Sequence, residues 1–204
     1  MQHDPRLMNP LPSETFVGPE TPARRRLMLA GAASGAWAWM GAPAISLARD
    51  LELDVPYVPT PMTVVDRMLE MAKVGKRDLV YDLGCGDGRI VIRAAERFGC
   101  RGVGVDLDPV RVSEAKTNAE KAKVQSLVKF EVGNVFTYDF SPATVVTMYL
   151  LRSVNMRLRP RLLAELKPGT RIVSHAFDLG DWKPEQTARI EGRNVFMWTV
   201  PSRG

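Results

Sequence analysis

Residues 81–90 read YDLGCGDGRI, with three glycines (Gly84, Gly86 and Gly88) in five positions directly after an apolar run. Glycine lacks a Cβ and enters positive φ freely, so such a turn lets a ligand approach the main chain closely. Upstream, DLVYDL (78–83) has the apolar character of a buried strand. Downstream, GRIVIRAAERFG (88–99) has helical periodicity and stops at a glycine. A strand that turns through glycines into a helix is the ligand-binding corner of an open α/β sheet. The unpaired N–H groups of the helix's first turn face whatever binds there.

The same alternation continues along the chain. RGVGVDL (101–107), SLVKFEVG (126–133), ATVVTMYLL (143–151) and TRIVSHAF (170–177) are predicted strands, and PVRVSEAKTNAEKAKV (109–124) is a predicted helix. SVNMRLRPRLLAELKPG (153–169) reads as a loop and helix closed by Pro-Gly. Ahead of the glycine corner, TPMTVVDRMLEMAKV (60–74) puts Met62, Val65, Met68, Leu69 and Ala72 on one helical face, with Thr60 as the expected N-cap. At the end, TARIE and NVFMWTV flank Gly192-Arg193 as a hairpin. Strands separated by helices imply right-handed crossovers. The expected fold is therefore a Rossmann-like, doubly wound α/β sheet, mostly parallel, with a C-terminal antiparallel hairpin.

The corner's chemistry narrows the ligand. A nicotinamide-binding corner carries Gly-x-Gly-x-x-Gly, so that a pyrophosphate meets the helix dipole. Here the third glycine comes one residue early, Arg89 holds its place, and Asp82 and Asp87 flank the turn. Carboxylates repel a pyrophosphate and attract a cation. A ligand with an ammonium and a sulfonium but no phosphate fits, and S-adenosyl-L-methionine is such a ligand. Asp106 closes the second strand 20 residues beyond Gly86, where its carboxylate can accept both ribose hydroxyls. Asn134 is expected at the adenine edge, its side-chain carbonyl toward the exocyclic amine. The predicted cofactor-binding set is Asp82, Gly84, Cys85, Gly86, Asp87, Gly88, Asp106 and Asn134.

Composition divides the 204 residues into three parts. Residues 1–23, rich in Pro, Glu and Thr, are expected to be a disordered tail. In 24–48, three arginines precede Leu27–Ala48, which contains no charged residue and ends in small-residue patterns suited to signal-peptidase cleavage. That part is expected to be a twin-arginine-like export signal or a membrane anchor acting through residues 27–48. Arginines ahead of an apolar run favour export of the domain behind it, whereas S-adenosyl-L-methionine is held in the cytoplasm. Exported, tethered and cytoplasmic placements all stay open. Residues 49–204 form the folded domain, with 24 Lys+Arg against 20 Asp+Glu. So mild an excess permits an acidic partner or nucleic acid but suits an ordinary solvated surface, and nucleic acid is not the expected partner. Cys85 and Cys100 lie near opposite ends of one predicted helix, roughly 20 Å apart, so both are expected to be free thiols. His3 and His175, the only histidines, give no zinc-binding set.

LVYDLGCGDGRI, GVGVDLD and VVTMYLL, in this order, resemble the class I, seven-strand methyltransferases. VPYVPTPMTVVDRMLEMA, ATVVTMYLL, LKPGTRIVSHAF and DWKP resemble, more narrowly, the archaeal broad-specificity protein-lysine methyltransferases and, more distantly, the mitochondrial lysine methyltransferases. The resemblance spans about residues 54–201. It implies S-adenosyl-L-methionine as cofactor and lysine ε-amines of protein substrates as acceptors. Many amine-modifying relatives carry Asn/Asp-Pro-Pro-Tyr after the fourth strand; this chain has Thr147-Met148-Tyr149-Leu150. Tyr149 is the expected aromatic wall beside the amine, able to stabilise a methylated cation, and Tyr57 is expected to close over cofactor or substrate. Plain packing is the alternative for both.

Displacement by a neutral amine needs in-line placement and desolvation more than a strong base, and no general base is expected. His175 is read as a hydrogen-bonded structural histidine near the cleft rim. Arg152, Arg157, Arg159 and Arg161 form either a surface for acidic segments or phosphate, or a solvated helix face. Trp182 is placed either at the rim or in packing. Two other functions remain open: a methyltransferase acting on a small amine or RNA, and a cofactor-binding module without turnover. An RNA acceptor would call for an aromatic-rich platform, which the sequence does not display.

Overall fold

The computed structural model describes residues 58–203, all within the compact unit Ala48–Gly204. The predicted tail (1–23), the apolar segment (24–48) and Tyr57 lie outside the described residues.

The elements follow in the order α1 (Met62–Met71), β1 (Leu79–Leu83), α2 (Arg89–Phe98), β2 (Arg101–Asp106), α3 (Pro109–Lys121), β3 (Val128–Val132), β4 (Val145–Met148), α4 (Arg152–Glu165), β5 (Arg171–His175), β6 (Gln186–Ile190) and β7 (Arg193–Thr199). They form one seven-stranded sheet of order β3-β2-β1-β4-β5-β7-β6. The first five strands run parallel, and β7 pairs antiparallel with both β5 and β6. The mostly parallel sheet with a terminal hairpin is the architecture expected from the sequence.

Alternation along the strands builds a core on each face. Val80, Val145, Val173 and Val195 pack with α1 and with Ile90 and Ala94 of α2. On the same strands Tyr81, Val146, Ile172 and Trp198 point the other way, into Leu158 and Leu162 of α4. Burial on both faces explains why these strands read as continuous apolar runs.

Helix boundaries show where local signals are incomplete. α1 begins at Met62 behind Pro61, and Thr60 does not cap it with its side chain; its hydroxyl is engaged with His175 instead. α1 and α3 each stop three residues before the predicted end. Lys73 (φ 48°) and Lys123 (φ 58°) take the left-handed conformation, and Val74 N–H and Val124 N–H reach back to the carbonyls of Leu69 and Ala119. Such stops are usually made by glycine, so lysine gives no warning of them. α4 is one helix from Arg152 with Pro160 inside it, rather than a loop leading into a helix.

Candidate active site

The sheet order reverses between β1 and β4. β1 leads into α2 on one face and β4 leads into α4 on the other, which leaves a crevice at the strands' carboxyl ends. A pocket opens there, lined by Val58–Thr60, the glycine corner, the ends of β1 and β2, the Gly133–Val135 turn, and Tyr149 and Leu150 after β4.

The corner is a tight backbone structure. Gly84 N–H and Cys85 N–H both donate to the Val105 carbonyl, at 2.8 and 3.0 Å. Gly86 N–H donates to Asp106 Oδ2 at 2.8 Å. Gly88 starts α2 at φ 79°, and a Cβ there would stand 2.7 Å from the Phe130 ring and 2.8 Å from Ala115 Cβ. Only glycine allows the helix to pack this closely on β3 and α3. The second oxygen of Asp106 accepts from Asp108 N–H at 3.0 Å. Two backbone donors therefore fix this carboxylate at the end of β2, and each oxygen keeps a lone pair.

Asp82 is buried, with 2% exposure. It stands opposite Thr147 in the β1–β4 register, and the Thr147 hydroxyl donates to its Oδ1 at 2.7 Å. Burial pushes the Asp82 carboxyl up to about 7, and the neighbouring Asp106 and Asp87 carboxylates push the same way. Cys85 lines the same pocket. Burial, aided by Asp82 and Asp106, raises its thiol well above the ordinary range, so it stays protonated. Both Cys85 and Cys100 are free and buried.

Two of the predicted cofactor-binding side chains also have partners within the chain. Asp87 lines the pocket, but Arg89 grips its carboxylate in a two-pronged ion pair, Nε to Oδ1 at 2.9 Å and Nη2 to Oδ2 at 2.6 Å. The pair holds this carboxylate within the corner, while its charge still acts on the neighbouring Asp82. The same guanidinium donates through Nη1 to the Thr60 carbonyl at 3.0 Å, and so ties the strand entering α1 to the corner. Asn134 also lines the pocket, but its side-chain carbonyl accepts from Phe136 N–H at 2.9 Å. The oxygen expected at the adenine edge also holds its own turn, and keeps a second lone pair.

Tyr149 is half-buried and lines the pocket. Its ring packs on His175, with centroids 3.9 Å apart, and lies 6.3 Å from Phe177. His175 is buried, with 1% exposure, rather than near the rim. Burial, with a smaller contribution from Arg193, lowers its imidazole to about 4; it is neutral and structural, as the sequence suggests.

The arginines after β4 do not form an open docking patch. Arg152 pairs with Asp178 and Arg159 with Asp181. Arg161 donates to the carbonyls of Val135 and Tyr138 and pairs with Glu165. The Arg157 guanidinium lies 3.8 Å from the centre of the Phe136 ring. Trp182 packs 6.1 Å from Trp198, whose Nε1 donates to the Trp182 carbonyl at 2.7 Å, so packing is its role. Sequence reasoning missed Thr60 and Thr147. Only their placement beside His175 and Asp82 gives them significance.

Residues 82–186, from Asp82 through Tyr149 and His175, match the ANTKMT methyltransferase domain. The chain belongs to this family. It is 53% identical over 142 residues to a protein-lysine N-methyltransferase of Saccharolobus islandicus, covering 69% of this chain and 88% of that protein. It is 33% identical to the mouse adenine nucleotide translocase lysine N-methyltransferase, covering 76% of this chain and 67% of that one. Among solved structures, it resembles an RNA methyltransferase from Salinibacter ruber in complex with S-adenosyl-L-homocysteine. That likeness has 56% identity and a TM-score of 0.71, over 72% of this chain and 95% of that one. For a member of the ANTKMT methyltransferase family, the glycine corner and the Asp106 carboxylate occupy the crevice where open α/β sheets hold ligands.

Proposed function

We propose that the protein is an S-adenosyl-L-methionine-dependent protein-lysine N-methyltransferase. The observation that carries this reading is one pocket holding a buried carboxylate, a carboxylate fixed by backbone donors, a glycine corner and an aromatic wall. The pocket fits this cofactor better than a dinucleotide. Asp82 and Asp106 suit hydroxyls and cations, and Asp87 and Arg89 satisfy each other, so Arg89 is not an open phosphate clamp.

When bound, the cofactor supplies a methyl group on a cationic sulfur. In this reading Asp106 accepts the ribose hydroxyls, and Asp82 faces the cationic end. Gly84, Cys85 and Gly86 bring the main chain close, Gly88 lets α2 start against the sheet behind them, and Asn134 and its turn border the adenine. Tyr149 offers the acceptor amine an apolar, π-rich wall that excludes water and favours the methylated cation. Tyr57 is proposed to close over the site from the preceding segment. Lysine as acceptor is supported by the S. islandicus and mouse relatives, which are lysine methyltransferases.

The Salinibacter neighbour, an RNA methyltransferase, favours a second acceptor, RNA. Against it, the aromatic side chains among the described residues are buried or half-buried, and unpaired bases are normally held on exposed aromatic faces. The deciding experiment incubates the full chain with methyl-labelled S-adenosyl-L-methionine and either denatured lysate proteins or total RNA, followed by hydrolysis. Label in methyl-lysine that is lost in Asp106→Ala is expected; label confined to RNA would overturn the reading.

Residues 24–48 are proposed to target or anchor the enzyme, on the strength of Arg24–Arg26 ahead of an uncharged run. Among the described residues no helix is long and apolar enough to cross a membrane. Fractionating cells that express the chain with and without 24–48 tests this, since an unchanged distribution removes the role.

A further inference from the structure

Two buried side-chain polar atoms among the described residues lack a hydrogen-bond partner, Asn155 Oδ1 and His175 Nε2, and both belong to groups around the turn after β5. There Ala176 adopts φ 64° and Phe177 N–H donates back to the His175 carbonyl at 2.8 Å. A three-residue turn with a left-handed central alanine is strained, and such strain persists only where surrounding bonds enforce it. They do so here. The Ser174 hydroxyl donates to the Phe177 carbonyl at 2.6 Å. The Asn155 amide donates to the carbonyls of Phe177 and Asp178, at 3.2 and 3.4 Å, and to Ser174 Oγ at 3.2 Å. The turn brings His175 and Phe177 against the Tyr149 ring.

The other side of His175 is held by a single polar contact. Its Nδ1 lies 3.2 Å from Thr60 Oγ1, and its Nε2 has none. The Thr60 carbonyl is in turn held by Arg89, which is locked to Asp87 in the glycine corner. An unbroken series of contacts therefore runs from the corner through Thr60 and His175 to the Tyr149 ring. If the Thr60 hydroxyl were removed, both imidazole nitrogens would be buried without partners. The ring would then have to turn to find one, and the surface beneath Tyr149 would move with it.

We propose that Thr60 and His175 are positioning residues for Tyr149. The Thr60 hydroxyl sets the rotation of the imidazole, and the imidazole face sets the tilt of the aromatic wall against which the acceptor amine is held. This rests on the reading of the site as a lysine methyl-transfer site. It assigns a role in transfer to Thr60, which lines the pocket, and to His175, which lies behind Tyr149.

The test compares the full-length wild type with Thr60→Ser, Thr60→Val, Tyr149→Leu and the Thr60→Val/Tyr149→Leu double variant. Three quantities are read: the NMR shifts of the His175 ring protons, the dissociation constant of S-adenosyl-L-homocysteine, and the rate of label entry into methyl-lysine of denatured lysate proteins. With only two histidines in the chain, the ring signals are readily assigned. Thr60→Val is expected to lose the ring-current shift that Tyr149 imposes on His175. It should keep product affinity within about threefold and transfer methyl about 10- to 100-fold more slowly. Thr60→Ser should restore all three, and the double variant should be no slower than Tyr149→Leu alone. A folded Thr60→Val protein with wild-type ring shifts or a wild-type rate overturns the proposal. So does a double variant slowed by the full product of the single effects. A wild type that binds S-adenosyl-L-homocysteine but labels no lysine refutes the functional reading instead, and the ring shifts still report whether Thr60 holds His175.

Discussion

Replacing Asp82 with asparagine should reverse a stability cost that the fold carries in order to keep a carboxyl in its pocket. Asp82 is buried on β1 with its Oδ1 accepting from Thr147, and burial moves its pKa from 3.8 to about 7. Between those values the folded chain keeps a proton that the unfolded chain has lost, so stability falls as pH rises across that window. The slope is about 1.4 kcal/mol per pH unit, on the order of 4 kcal/mol in all. Above about 7 both states are ionised and the slope from this group vanishes. The substituted amide would not titrate, and its carbonyl could still accept the Thr147 hydroxyl. Urea unfolding of both proteins from pH 4.5 to 8.5 cancels the contributions of other groups. The Asp82→Asn protein should gain on the wild type by about 1.4 kcal/mol per pH unit up to near neutrality and hold a constant lead above it. Curves that stay parallel from pH 5 to 8 would show that Asp82 titrates as an ordinary carboxyl and would refute the burial argument. The same proton couples to ligand charge. S-adenosyl-L-methionine should bind the wild type more tightly as pH rises toward 7, by up to about tenfold per unit, and Asp82→Asn should lose that dependence. Affinity indifferent to pH in the wild type would remove Asp82 from the cation's neighbourhood.

Asp106→Ala should weaken S-adenosyl-L-homocysteine binding at least about tenfold, since charged hydrogen bonds to hydroxyls are worth about 1.5–3 kcal/mol. It should also lower the melting temperature, because Gly86 N–H and Asp108 N–H lose their acceptor; unchanged affinity by calorimetry in a folded variant would refute the ribose assignment. Gly88→Ala meets both positive φ and the Phe130 ring at 2.7 Å and should cost about 2–4 kcal/mol. Gly169→Ala, at φ 84° with nothing within 4 Å, should cost only about 1–2 kcal/mol, and equal losses in urea unfolding would defeat the steric argument. His175 should stay neutral until about pH 4. Its pKa is lowered on folding, so its share of stability is kept at neutral pH and lost as pH falls from about 6.5 toward 4. An NMR titration midpoint near 6.5 would mean the ring reaches solvent.

The fold is legible in the sequence because its signals are local and agree with one another. Apolar side chains facing both ways mark β1, β4 and β5 as central strands, and the glycine corner marks the first crossover. The helix ends at Lys73 and Lys123 are not legible, because a left-handed lysine leaves no compositional mark. The extent of α4 is obscured for a related reason. Pro160 and the arginines look like breaks in a helical pattern, yet the helix continues because Leu158 and Leu162 are buried against the sheet.

The site divides along the same line. Asp82, Asp106 and the glycines can be found because their spacing along one strand–turn–helix unit is itself the signal. Their partners lie far away in sequence. Thr147 is 65 residues from Asp82, and His175 is 115 residues from Thr60. Only the strand register of the finished sheet brings Thr147 beside Asp82. Side-chain charge misleads in the opposite way. From sequence, Asp87 looks free to attract a ligand cation, and Arg152, Arg157, Arg159 and Arg161 look free to attract acidic partners, because a sequence counts charges without showing which are already paired. The folded chain pairs Asp87 with Arg89, two residues along, and Arg161 with Glu165, four residues along on the same helix. Both spacings are short enough to raise the possibility beforehand. A charge with an opposite partner within one turn is therefore weak evidence for a ligand. A buried carboxylate such as Asp82, held by a hydroxyl and raised toward neutrality, is stronger evidence, because the fold keeps it at a cost that binding can offset.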